Sequence, residues 1–335
     1  MNPLKIYSPQ KIQKYINKRF GETKFGEAIL TINELNDLKT SPANYVLLGI
    51  PEDVGVLANH GVKGTKNAWQ ACLKALLNIQ ANEFTKPENI LLLGEINCDI
   101  ELKAADTLDK EDEHYFEELG HIVSQIDTKV STVVEQIVSA GKIPVIIGGG
   151  HNNSYGTIKG TSFALKKPIS VINFDAHADF RPLEHRHSGN GFSYAYEEGY
   201  LHHYFIFGLH KNYNSQAIFD RLHSSKTSVS YNLFESIAIQ RTKSFGQALK
   251  EAESFTVAAE KFGLEVDLDS VQDIPSSAKT PSGFSVNDTR RFISYFAKNS
   301  NVAYLHLCEA APIPGTEEEK QVGKLLAYFI MDFIS

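Results

Sequence analysis

Cysteine is scarce in this chain, with three residues in 335. Cys72, Cys98 and Cys308 are odd in number and lack the paired spacing of a thiolate metal site, which excludes a disulfide framework or a zinc ribbon. They read as buried free thiols in a reducing compartment. No apolar run reaches the length of a bilayer span, and the polar, lysine-bearing first twenty residues lack the apolar core of an export signal. The expected setting is cytoplasmic, with no membrane partner. Basic blocks are also missing and the formal net charge is −7, so nothing provides the positive footprint that a phosphate backbone requires. Nucleic acid is therefore not an expected partner. Without repeats, low-complexity tracts or a Pro/Gly/Ser-rich linker, a single domain is the simplest organisation.

Apolar, β-prone runs at 45–50, 90–93, 143–147, 169–174, 203–208, 227–231, 264–269 and 302–308 alternate with helical patterns at 67–79, 115–140, 237–252, 288–298 and 317–333. Gly141 follows the longest of these helices as an αL cap. Such alternation predicts βαβ units and an α/β fold around a mainly parallel sheet of about eight strands. Ligands of such sheets bind beyond the carboxyl ends of the strands.

Three short polar motifs stand at those ends. They are Gly-Gly-Gly-His at 148–151, Asp-Ala-His-Ala-Asp at 175–179 and Asp-Leu-Asp at 267–269. On an extended segment, residues two and four apart share a face, so Asp175, His177 and Asp179 are expected to converge, as are Asp267 and Asp269. With His151 they form a set of two histidines and four aspartates. Four carboxylates overcharge one divalent ion but balance two. Oxygen and imidazole donors without thiolate suit a hard or borderline metal, manganese(II) first, then iron, cobalt or zinc. Two such ions activate water near neutral pH, which implies hydrolysis. The glycines at 148–150 are also compatible with a plain tight turn, but a phosphate loop is disfavoured because the following Lys-Ser/Thr is missing.

The series GGGHNNSYG from Gly148, NFDAHADFRP from Asn173 and EVDLDSVQDIP from Glu265 resembles the ureohydrolase superfamily of arginases, agmatinases and formimidoylglutamases. The segment LLGIPEDVGVLANHGVKGTKNAW from Leu47 and the run LHLCEAAP from Leu305 are similar to the formimidoylglutamase branch. The resemblance runs from about Tyr45 to the C-terminus, dividing the chain into an N-terminal extension, 1–40, and an arginase-like domain, 41–335, of three α/β/α layers. It implies one manganese on His151, Asp175, Asp179 and Asp267 and a second on His177, Asp175, Asp267 and Asp269, with Asp175 and Asp267 bridging. It further implies that Asp179 passes a proton to the leaving nitrogen, that Glu309 pairs with an amidine-like cation, and that the protein is a homo-oligomer acting on a small molecule.

Guanidino hydrolases of this group carry a histidine before a glycine downstream of DAHxD, where this chain has Ser188. Together with GGGH in place of GGDH, the resemblance points to hydrolysis of N-formimidoyl-L-glutamate to L-glutamate and formamide, a reaction of histidine degradation. An arginase- or agmatinase-type guanidino hydrolase is the alternative. A catalytically silent metal-binding or regulatory member is a second, disfavoured by the intact ligand set. Basic groups are expected for the substrate carboxylates, with Arg181 and Arg186 as candidates; Ser188, Asn190 and His210 complete the expected pocket. The DxDxxDP pattern is lengthened between Asp269 and Asp273 and between Asp273 and Pro275, which implies a differently shaped loop after the ligands.

Overall fold

Strands β3 (Ile90–Ile96), β5 (Ile169–Phe174), β8 (Phe262–Asp267) and β9 (Val302–Cys308) are buried at every position. Mostly apolar runs buried on both faces are what a parallel sheet covered on both sides demands. The computed structural model describes residues 2–256 and 261–335. The remaining strands are β1 (Leu4–Ile6), β2 (Tyr45–Gly49), β4 (Ile143–Ile147), β6 (Leu201–Leu209) and β7 (Val229–Leu233). All nine form one sheet in the order β1-β3-β2-β4-β9-β8-β5-β6-β7. Every pairing is parallel except that of β1 with β3.

Alternate side chains on each strand feed opposite cores. Leu47, Val145, Ile172, Phe174, Leu264 and Leu305 pack with the helices Ala68–Leu76, Phe245–Thr256, Val286–Phe296 and Glu317–Ile334. Val46, Leu48 and Ile146 face the helix Tyr115–Ser139. Val171, Ile206 and Tyr304 face the helices Asn153–Leu165, Gly191–Glu197 and Gln216–Ser224. The result is the expected three-layer α/β/α arrangement. No helix among the described residues is long and apolar enough to cross a membrane.

The sheet differs from the sequence reading at its edge. The ninth strand, β1, has only three residues, too few for a periodic signal. It draws the N-terminal segment into the domain, where Tyr7, Ile12, Phe25 and Ile29 share a core with Trp69. The helix expected over 237–252 is split into a π-turn, Glu235–Ile239, and the helix Phe245–Thr256. The helix Asn153–Leu165, rich in serine, threonine and glycine, carries no apolar stripe to announce it. It packs on Tyr115–Ser139 so closely that a Cβ on Gly160 would stand 2.4 Å from the Ser131 carbonyl oxygen.

Candidate metal centre

The motif-bearing strands β4, β9, β8 and β5 are consecutive in the sheet, so four segments far apart in sequence end side by side. The ligands converge through turns, not through strand alternation as expected. β5 stops at Phe174, the Asp175 Oδ1 accepts from the His177 amide at 2.7 Å, and Asp179 takes a left-handed φ of 45°. β8 stops at Asp267, whose Oδ1 accepts from the Asp269 amide at 2.8 Å. Glu309 also lies in the left-handed region, at φ 62°. Such backbone is costly for non-glycine residues and concentrates at functional sites.

The six expected ligands come together as two overlapping groups. His151 Nδ1 lies 2.9 Å from Asp179 Oδ2, 3.1 Å from Asp267 Oδ2 and 3.3 Å from Asp175 Oδ2. His177 Nδ1 lies 3.1 Å from Asp269 Oδ2 and 3.7 Å from Asp175 Oδ1. Asp175 belongs to both groups, one oxygen to each, whereas Asp267 stands with His151.

The electrostatics fit divalent cations. Burial and the Asp175 charge push Asp179 up to about 6, and burial with the charges of Asp269 and Asp175 pushes Asp267 well above the ordinary carboxylate range. Asp269 Oδ1 is buried with no hydrogen-bond partner among the described residues. Carboxylates crowded this closely, with an oxygen left over, are what bound cations would neutralise.

Beside the ligands opens a cleft of about 480 Å³ lined by His177, Asp179, Asp267, Asp269 and Glu309, and by Arg181, Ser188, Tyr213 and Arg221. Glu309 Oε1 accepts from the His151 amide at 2.7 Å, and burial pushes this carboxyl up to about 8. Arg181 donates to Asn59 Oδ1 at 2.8 Å and pairs with Glu184 at 2.9 Å, and Asn59 in turn donates to Ser188 Oγ at 3.0 Å. Three residues expected at the pocket are placed otherwise. Asn190 is fully buried, its Oδ1 accepting from the His187 amide and Arg186 and its Nδ2 donating to the His185 carbonyl, so it shapes the loop and does not line the cleft. His210 lies behind the wall, stacked between Phe234 at 4.3 Å and Tyr213 at 5.1 Å. Arg186 is also turned away, its guanidinium 2.9 Å from Asp127.

Several organising residues escaped the sequence reading. Glu52 accepts from the amides of Val54, Gly55 and Gly150 and from Asn153 Nδ2, tying the IPEDVG segment to the GGGH turn. Asn214 Oδ1 accepts from the Ala178 amide at 3.0 Å, and Tyr213 stacks on His177 at 5.3 Å, so one loop steadies DAHAD from two sides. The IPEDVG segment is part of the resemblance to the formimidoylglutamase branch, and nothing local in it assigns a role to Glu52. The cysteines are buried and free, as expected.

Comparison with known proteins places this geometry. A formimidoylglutamase of Hahella chejuensis is 29% identical over 239 residues, 68% of this chain and 65% of that protein, so the alignment spans just under two thirds of the relative. One of Geobacillus sp. (strain WCH70) is 25% identical over 308 residues, 89% of this chain and 86% of the relative. In fold, the chain is similar to a variant of Trypanosoma cruzi formiminoglutamase with Mn2+, at a TM-score of 0.73 and 19% identity, covering 94% of this chain and 99% of that one. It is similar too to formimidoylglutamase from Bacillus subtilis, at a TM-score of 0.72 and 19% identity over 95% and 93% of the two chains. The model of the arginase family matches residues 43–334, from just before β2 to the end of the last helix, and the chain belongs to that family.

Proposed function

We propose that the protein is a manganese-dependent hydrolase that cleaves N-formimidoyl-L-glutamate to L-glutamate and formamide. The observation that carries this reading is the polarity of the cleft. Its acids are deep, with the side chains of Asp179, Asp267 and Asp269 at 13% exposure or less, whereas Arg181 and Arg221 are 46% and 22% exposed. N-formimidoyl-L-glutamate has the same polarity, a formimino cation at one end and two carboxylates on the remainder. Agmatine would carry only a free amine toward the arginines, and arginine an amine beside a single carboxylate. The relatives named formimidoylglutamase support the same substrate.

One Mn2+ would be held by His151, Asp175, Asp179 and Asp267 and a second by Asp175, His177 and Asp269, with Asp267 as a further ligand of the second on the family resemblance alone; Mn2+ is present in the Trypanosoma neighbour. When bound, such ions supply Lewis acidity and bring the pKa of water near neutrality. The chain's own residues do the remaining work. Glu309, at the dry end of the cleft, is raised by burial while it has no cation beside it; the planar N–C–N cation restores its charge on pairing, and the pair fixes the substrate carbon. Asp179, which lines the cleft, takes the proton lost by water and returns it to the nitrogen of glutamate as the C–N bond breaks. Arg181 and Ser188 receive the glutamate portion. Buried free thiols accord with a cytoplasmic setting, and a homo-oligomer remains part of this proposal.

The test is turnover of a panel of formimidoyl and guanidino compounds by manganese-loaded protein. N-formimidoyl-L-glutamate should exceed arginine and agmatine by at least about a hundredfold in kcat/KM, the scale reached when a site's polar groups lose their partners. Equal or faster turnover of either guanidino compound overturns the substrate.

A further inference from the structure

Glu265 is fully buried on β8, two residues before Asp267 and on the same face of the strand. A buried carboxylate needs partners, and its neighbours on β9 supply them. Tyr304 donates its hydroxyl to Oε1 at 2.8 Å, and His306 Nδ1 lies 2.6 Å from Oε2. The strand register sets Glu265 opposite His306 and Gly263 opposite Tyr304. Gly263 is what admits the tyrosine, because a Cβ there would stand 2.1 Å from the ring carbon Cζ. Three residues on two strands thus serve one carboxylate.

The carboxylate faces the back of the metal centre. Oε2 lies 3.5 Å from His151 Nε2, an electrostatic contact longer than a good hydrogen bond. Nε2 is buried and makes no hydrogen bond among the described residues, while Nδ1 faces Asp175, Asp179 and Asp267. A neutral imidazole has one N–H and one lone pair. Metal binding through Nδ1 requires the N–H on Nε2, and there the carboxylate of Glu265 is the acceptor at hand.

We infer that Glu265, braced by Tyr304 and His306, is a positioning residue that holds the His151 ring with its Nδ1 lone pair aimed into the metal centre. This rests on the two-ion reading above. Glu265 then acts on one ion alone, because His177, the imidazole of the other group, is paired with Asp269 and stacked on Tyr213.

The test compares Mn2+ binding isotherms and electron paramagnetic resonance of the full-length wild type and Glu265→Gln, which keeps the shape and removes the charge. The wild type should bind two ions and give a spin-coupled spectrum. In the variant, affinity at the His151 side should fall by roughly 10–100-fold, with the His177 side unchanged. At intermediate Mn2+ the coupled spectrum should give way to that of an isolated ion at one per chain. Wild-type affinity and spectrum in the variant overturn the inference, and so does equal weakening of both sites, the mark of a merely structural part. If Glu265→Gln does not fold, Tyr304→Phe takes its place, with a smaller loss at the His151 side expected and no loss overturning it. A wild type without a coupled pair is a separate failure, of the two-ion reading, and overturns both.

Discussion

Arg186 and Asp127 form a buried ion pair, Nε to Oδ2 at 2.9 Å and Nη2 to Oδ1 at 3.3 Å, with the guanidinium 5.0 Å and 4.9 Å from the ring centres of Tyr155 and Tyr194. The same guanidinium donates to the Asn152 carbonyl at 2.9 Å, next to His151. It ties the helix Tyr115–Ser139 to the loops around the site. Arg186→Ala should cost about 3–5 kcal/mol of stability, the usual result of stranding a buried charge, seen as a lower urea midpoint. The KM of the remaining folded protein should hardly move; a raised KM at unchanged stability would return Arg186 to the substrate.

Removing the metal should remove activity. Chelation should abolish turnover and Mn2+ should restore it best among divalent ions. Asp267→Ala should lose metal and turnover together and keep its far-UV circular dichroism, because the sheet has its own apolar cores. Elemental analysis finding one zinc and no second ion in active protein would contradict the two-ion centre.

Glu309→Gln should keep both metals, since a Gln side-chain oxygen still accepts from the His151 amide, yet lose the charge that meets the substrate. A fall in kcat/KM of roughly two orders of magnitude is expected for a charge-assisted pair in a dry site. Loss of metal at preserved substrate affinity would reassign Glu309 to the ligand shell.

Arg181→Ala should act mainly on KM. The side chain is 46% exposed and shared with Glu184, so a rise of about tenfold is expected, the lower end for a charged hydrogen bond. Steady-state kinetics on N-formimidoyl-L-glutamate separate this from a change in kcat.

The central strands and the metal motifs were legible because polar residues interrupt apolar runs where the strands end. Other features depend on partners brought by the fold. Nothing around Leu4 distinguishes a three-residue strand, and the polar helix Asn153–Leu165 is buried by a close glycine contact that no periodicity reports. Arg186 was offered to the substrate because its partner, Asp127, is remote in sequence. His210 lies at its strand's end as expected, but Tyr213 comes between it and His177. Glu52 and Glu265 show the same limit, since each takes its role from residues on other segments.

The last strand in the chain occupies the middle of the sheet. Among the described residues, β1-β3-β2-β4 and β8-β5-β6-β7 are joined in the sheet through β9 alone. His151 hangs from the first half, and the five aspartate and histidine ligands from 175 to 269 hang from the second. An ion on His151, Asp175, Asp179 and Asp267 would thus be a clasp across this seam, fastening by coordination what β9 fastens by backbone hydrogen bonds. A chain shortened before Val302 would lose the strand and Glu309 at once, leaving two half-sheets with facing raw edges, each a template for pairing with another copy.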